Sequence, residues 1–165
     1  MISLAFSFER AFFLSMINET KGKKFIYLCI KGNFGAIMGL IYQKEIQVTE
    51  VHIDQNNHVN NVQYVHWVEE IAAAHWESVK HKTEFSTYAW MLLDHHIQYK
   101  KQVYLHDRVT IKTYPIPPEG IKQPRKVEFY CNGKLVVDSH TLWVLVDIET
   151  QKIKRLEKDW LNVIL

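Results

Sequence analysis

The chain has 165 residues, 47% apolar and 23% charged, with a formal net charge of +2. That length and apolar share suit one packed domain and exclude disordered, collagen-like and low-complexity classes. No uncharged apolar run reaches the roughly 18 residues of a membrane span, and so small a net charge argues against a nucleic-acid binder.

Cys29 and Cys131, the two cysteines, form no disulfide framework, so a cytoplasmic protein without membrane or nucleic-acid partners is expected. Residues 1–37 carry five basic against two acidic groups and hold none of the nine histidines or five tryptophans. This contrast divides the chain into an N-terminal extension, 1–37, and a main domain, 38–165. Segment 11–16 is short, follows Glu9 and Arg10, and lacks a small-residue cleavage site, which argues against a secretory signal. Segment 25–30 reads as a brief apolar run suited to an edge strand. Met38 offers an alternative start, which would make 1–37 translated upstream sequence.

From Gly39 the pattern becomes regular. Residues 44–49 alternate, with Ile46 and Val48 on one face, as in a half-buried strand. Residues 51–60 are polar and turn-rich, and Asn60 or Asn61 is placed to cap a following helix. The stretch from 62 to about 80 has no Gly or Pro and predicts one long helix. Its apolar positions (Val62, Val65, Trp67, Val68, Ile71, Ala72, Trp76, Val79) exceed a narrow stripe, so a helix embraced by other structure is expected. Strands are then expected over 88–103, 108–114, 126–131 and 135–147. Asn132-Gly133 between the last two is a two-residue hairpin signal, and 115–124, holding all four prolines, reads as a loop. The order strand, helix, four strands predicts an α+β domain with an antiparallel sheet covered by one helix. The tail, 151–165, fits no element.

The densest polar cluster, residues 52–61, precedes the long helix. Helix N-termini present unpaired N–H groups and partial positive charge, which suit an oxyanion. With the Asp54 carboxylate, the His58 imidazole and the Asn56 amide beside such donors, the cluster has the equipment for hydrolysing an acyl group with water. Two other readings compete: Asn and Asp as ordinary helix caps and Asx turns, and His52, Asp54 and His58 as three metal ligands.

The run Asp54-x-Asn56-x-His58-Val59-Asn60-Asn61-x-x-Tyr64, followed by Trp67 and Glu69, resembles the signature of hotdog-fold acyl-ACP thioesterases, within the 4-hydroxybenzoyl-CoA thioesterase-like superfamily. More weakly, the resemblance extends over 41–159. It implies a single hotdog domain, a curved antiparallel sheet wrapped around one long central helix. It also implies a thioesterase acting on acyl carrier protein or CoA thioesters, with Asp54, Asn56 and His58 catalytic and the N–H groups of Asn60 and Asn61 at the oxyanion. Tyr64 and Trp67 would contact substrate, and neither metal nor cofactor would be needed. One departure stands out: plant members carry Glu-Cys after a Tyr-Arg-Arg strand, whereas here Tyr99-Lys100-Lys101 is followed by Gln102-Val103. Plant members also hold two hotdog repeats, so this chain would supply the second as a homodimer or homotetramer. The competing function is a non-catalytic acyl-thioester binder. A dehydratase or hydratase lacks its His/Asp or His/Glu arrangement here.

Elsewhere, Cys131 reads as a structural thiol, and His66, His75, His95 and His96 read as packing or surface residues. Trp67, Trp76, Trp90, Phe129 and Trp143 serve a core or an acyl tunnel. Lys100, Lys101, Arg108, Lys122, Arg125 and Lys126 form either a solvated face or a docking patch for acyl carrier protein or the phosphates of CoA.

Overall fold

The computed structural model describes residues 13–20, 23–30, 41–80 and 86–157. The Met38 start, the Cys29 side chain and residues 158–165 of the tail lie outside the described side chains.

Strands β1 (Phe13–Thr20) and β2 (Lys23–Ile30) pair antiparallel in a two-stranded sheet of their own. The apolar run at 25–30 is therefore a strand, but its ladder partner is β1 and not the main sheet. The main sheet contains β3 (Tyr42–Gln47), β4 (Tyr88–Tyr99), β5 (Arg108–Pro115), β6 (Lys122–Cys131), β7 (Lys134–Asp147) and β8 (Ile153–Lys154). Its order is β3-β5-β6-β7-β4, all antiparallel, with β8 added to β7. One long helix, α1 (Asn61–Lys80), lies in the connection between the two edge strands, and β5, β6 and β7 then fill the space between them as a meander.

Alternation sets the inner face. Strand β5 buries Val109, Ile111, Thr113 and Pro115, while β6 buries Gln123, Arg125, Val127, Phe129 and Cys131. Strand β6 starts earlier than expected. Pro124 sits within it at a partly exposed position, so the proline-rich connection shrinks to residues 116–121. At the β6–β7 hairpin both Asn132 (φ 49°) and Gly133 (φ 72°) are left-handed, the conformation the Asn-Gly pair selects. Register shifts at Leu92/Asp94 and Phe129/Tyr130 bend the sheet around the helix.

The helix buries one stripe: Tyr64, Trp67, Val68, Ile71, Ala72, His75 and Val79. The sheet covers this face, as expected of a helix embraced by other structure, while three of the eight expected apolar positions lie outside the stripe. Val62 is 71% exposed, and Val65 and Trp76 are only partly covered. Around the stripe lie Val48, Val109, Ile111, Val127, Phe129 and Val137, each fully buried. Cys131 belongs to the same core, and burial raises its thiol pKa, as befits a structural cysteine.

Strand β4 forms one edge of the sheet and exposes Met91, Leu92, Leu93 and Tyr99. Among the described residues no strand pairs with its outer side.

Candidate active site

The polar segment before α1 is folded by its own short side chains. Asp54 N–H donates to His58 O (2.9 Å), and Ile53 and Val59 form an isolated antiparallel bridge. Within this tight loop Asp54 Oδ1 accepts the Asn56 N–H (2.8 Å), and Asp54 O accepts the N–H of Asn57, which is left-handed at φ 61°. Asp54 and His58 are thus brought side by side, both partly exposed. The next residue, Val59, is buried and donates its N–H to Val103 O (3.0 Å), tying the loop to the segment after β4.

Asn60 is the helix cap: its Oδ1 accepts the Val62 N–H (2.9 Å) and its backbone oxygen accepts that of Gln63 (2.9 Å). Its own N–H donates to His52 O (2.9 Å). Of the two backbone donors expected at an oxyanion, Asn60's is therefore already engaged. The Asn61 N–H, at the first turn, makes no hydrogen bond among the described residues.

A cleft of about 630 Å³ opens here. One wall carries Asp54, Asn56, His58, Asn61 and Tyr64, and the other is formed by residues 99–104. Five expected site residues therefore share one cavity. Tyr64 is 3% exposed and doubles as core: its ring meets Trp67, Tyr99 and Phe129 edge-on, and burial, then nearby Cys131, Tyr99 and Asp107, raise its phenol pKa well above the ordinary value. Tyr104 packs edge-on against the His58 ring (5.3 Å) and donates its hydroxyl to Gln102 Oε1 (2.8 Å). Sequence reasoning assigned neither Gln102 nor Tyr104 a part. The only signal was their place after Tyr99-Lys100-Lys101, since their approach to the cleft is a long-range event.

Trp67, expected to touch substrate, does not line the cleft. It is 3% exposed, held between His52, Tyr64 and Phe129. His52, packed edge-on against Trp67, accepts the Thr49 N–H at Nδ1 (3.0 Å). The metal reading with His52 therefore lacks its geometry, and no metal-holding group of His, Cys, Asp or Glu occurs among the described residues. In the basic set, Arg125 is buried, and Lys126 is paired with Glu128 (2.9 Å) and Asp138 (3.7 Å). Lys100 and Lys101 stand exposed at the cleft.

A second cavity, about 900 Å³, lies between the C-terminal half of α1 and β4, β6 and β7. Trp76, Trp90 and Trp143 line it, while Phe129 belongs to the core. At its floor Arg125 Nη1 donates to His75 Nδ1 (3.0 Å). Burial, then the neighbouring Arg125 charge, lowers the His75 pKa to about 3. The unfolded chain protonates this histidine at the ordinary value of about 6.5, so its stabilising contribution is complete above that pH and is lost as pH falls towards 3. Urea unfolding at pH 8 and pH 5 checks this: stability falls over that interval, by up to about 1.4 kcal/mol per pH unit below 6.5, and less steeply in His75→Gln.

One long helix on a curved antiparallel sheet, with a polar cleft at the helix N-terminus, is the hotdog arrangement. The chain belongs to the thioesterase-like superfamily, whose model matches residues 48–164. It is 27% identical over 122 residues to the long-chain acyl-CoA thioesterase FadM of Escherichia coli K12, covering 70% of this chain and 90% of that one. Among solved structures it resembles the probable thioesterase YbaW of Escherichia coli, with 25% identity, TM-score 0.65, and 74% and 98% coverage of the two chains. A Staphylococcus aureus protein solved in complex with CoA shares the fold, with 16% identity, TM-score 0.66, and 75% and 81% coverage. No helix among the described residues is long and apolar enough to cross a membrane.

Proposed function

We propose that this protein hydrolyses long-chain acyl-CoA to a free acid and CoA thiol in the cleft before α1, with residues 38–165 as the working domain. The observation that carries this reading is the convergence of Asp54, Asn56, His58 and the spare Asn61 N–H on one open cavity. The thioester carbonyl lies against the Asn61 N–H, where the helix dipole favours developing negative charge. Asp54 and His58 hold and deprotonate the attacking water, and Asn56 orients it. Water adds to the carbonyl carbon, and the tetrahedral intermediate collapses with loss of the thiolate, which takes up the proton.

The likeness to FadM favours CoA over acyl carrier protein as the carrier. Lys100 and Lys101, exposed at the cleft, receive the CoA phosphates in this reading. The outer side of β4, unpaired among the described residues and with Met91, Leu92 and Leu93 exposed, favours a homodimer joined along that edge. Location in the cytoplasm fits this chemistry.

The test is thiol release, followed with a thiol-reactive chromophore, from acyl-CoA and acyl-ACP of graded length. Release from acyl-CoA is expected, with KM rising about tenfold in a Lys100→Glu/Lys101→Glu double variant and the difference shrinking at high salt. Tight acyl-CoA binding without thiol release would instead identify a non-catalytic binder.

A further inference from the structure

Arg125 is 8% exposed, and among the described residues it has no carboxylate partner. Its Nη1 group spends both protons, on His75 Nδ1 (3.0 Å) and Thr113 Oγ1 (2.9 Å). Nη2 and Nε make no hydrogen bond among the described residues. Burial alone depresses the guanidinium pKa to about 10, with no anion offsetting it. Two further buried groups around it are unsatisfied. A guanidinium can only donate, so His75 accepts at Nδ1 and, being neutral, carries its proton on Nε2, where it finds no acceptor. Gln123, 2% exposed, donates to the Ile116 and Pro124 carbonyls and leaves Oε1 unpaired. All three side chains line the 900 Å³ cavity, whose upper walls are Trp76, Trp90 and Trp143.

Buried polar groups in folded proteins are ordinarily paired, and an uncompensated buried cation is the costliest exception. A planar guanidinium with two free N–H directions matches a carboxylate. The surrounding indoles match an apolar chain.

From this geometry we infer that the cavity beneath the C-terminal half of α1 is a binding site for a carboxylate borne on an apolar chain, received by Arg125. This site is separate from the candidate reactive cleft. His75 lies fourteen residues beyond Asn61 on α1, about 21 Å along the axis at 1.5 Å per residue. Two sources carry the required chemistry: a free fatty acid, or the distal carboxylate of an acyl thioester whose other end is in the cleft. The second source rests on the thioesterase reading, whereas the site itself does not.

Calorimetric titration of the 165-residue chain with dodecanoate and with dodecan-1-ol tests the site. The acid is expected to bind at least ~10-fold more tightly, as a charge-assisted pair provides, and Arg125→Gln is expected to erase the preference. Equal affinities in the wild type, or a preference retained in Arg125→Gln, overturn the proposal. If that variant does not fold, the Arg125 Nε resonance of the wild-type protein is expected to shift on adding dodecanoate, and an unmoved resonance overturns it equally.

The two sources separate on the CoA monothioester of octadecanedioic acid, a chain long enough to reach from the cleft to Arg125, compared with stearoyl-CoA. An Arg125-dependent preference in kcat/KM for the former supports the distal carboxylate. Equal turnover with Arg125-dependent inhibition by dodecanoate supports the free acid. Absence of thiol release from every thioester would sink the hydrolase reading while leaving the dodecanoate result to decide this one.

Discussion

Asp54→Asn and His58→Ala are each expected to lower acyl-CoA turnover by at least ~10²-fold, the scale of a lost general acid or base. Asparagine is the better replacement at 54 because Asp54 Oδ1 also accepts the Asn56 N–H (2.8 Å) and holds the loop. The amide keeps that acceptor and removes only the charge. Among the described residues the His58 side chain makes no hydrogen bond and only an edge contact with Tyr104, so its truncation is expected to leave the fold intact. The loss should therefore fall on kcat, with KM within a few-fold and the melting temperature nearly unchanged. Wild-type turnover in both variants would move the chemistry away from this cleft.

The second large effect is on stability. Trp67→Ala or Phe129→Ala should destabilise the protein by about 3–5 kcal/mol, the usual cost of emptying a core aromatic site. Phe129 is fully buried, and Trp67 packs against it at 6.4 Å between centroids. For a chain of this size, that lowers the melting temperature by roughly 6–20 °C. Val62→Ala, at a position 71% exposed, is the control and should change stability by less than about 0.5 kcal/mol. A Trp67→Ala variant with unchanged stability but a raised KM would return Trp67 to the substrate-contacting role expected from the motif.

These two residues also mark the limit of motif reasoning. Trp67 lies three residues after Tyr64, and both fall within the resembling signature, yet one lines the cleft and the other does not. Both lie on the buried stripe of α1. Which buried position opens onto solvent depends on where the 99–104 segment crosses, and no local pattern in α1 encodes that.

What the sequence determined by itself was local chemistry and periodicity. Alternation over β5 and β6, the Asn132-Gly133 hairpin and the uninterrupted helix are near-neighbour effects, governed by backbone sterics and the period of apolar side chains. The Asp54–His58 grouping is of the same kind, because a turn five residues long brings its ends together through its own hydrogen bonds. Only the tertiary structure decided matters that depend on distant pairing: the strand status of Pro124, the engagement of the Asn60 N–H by His52 O, and the second wall of the cleft. Arg125 is the sharpest case. In sequence it belonged with the surface cations, but period-2 alternation places it on the inner face of β6, beside Val127, where His75 of α1 meets it. A strand residue's facing is set by register, and its neighbour across the core is set by the path of the whole chain.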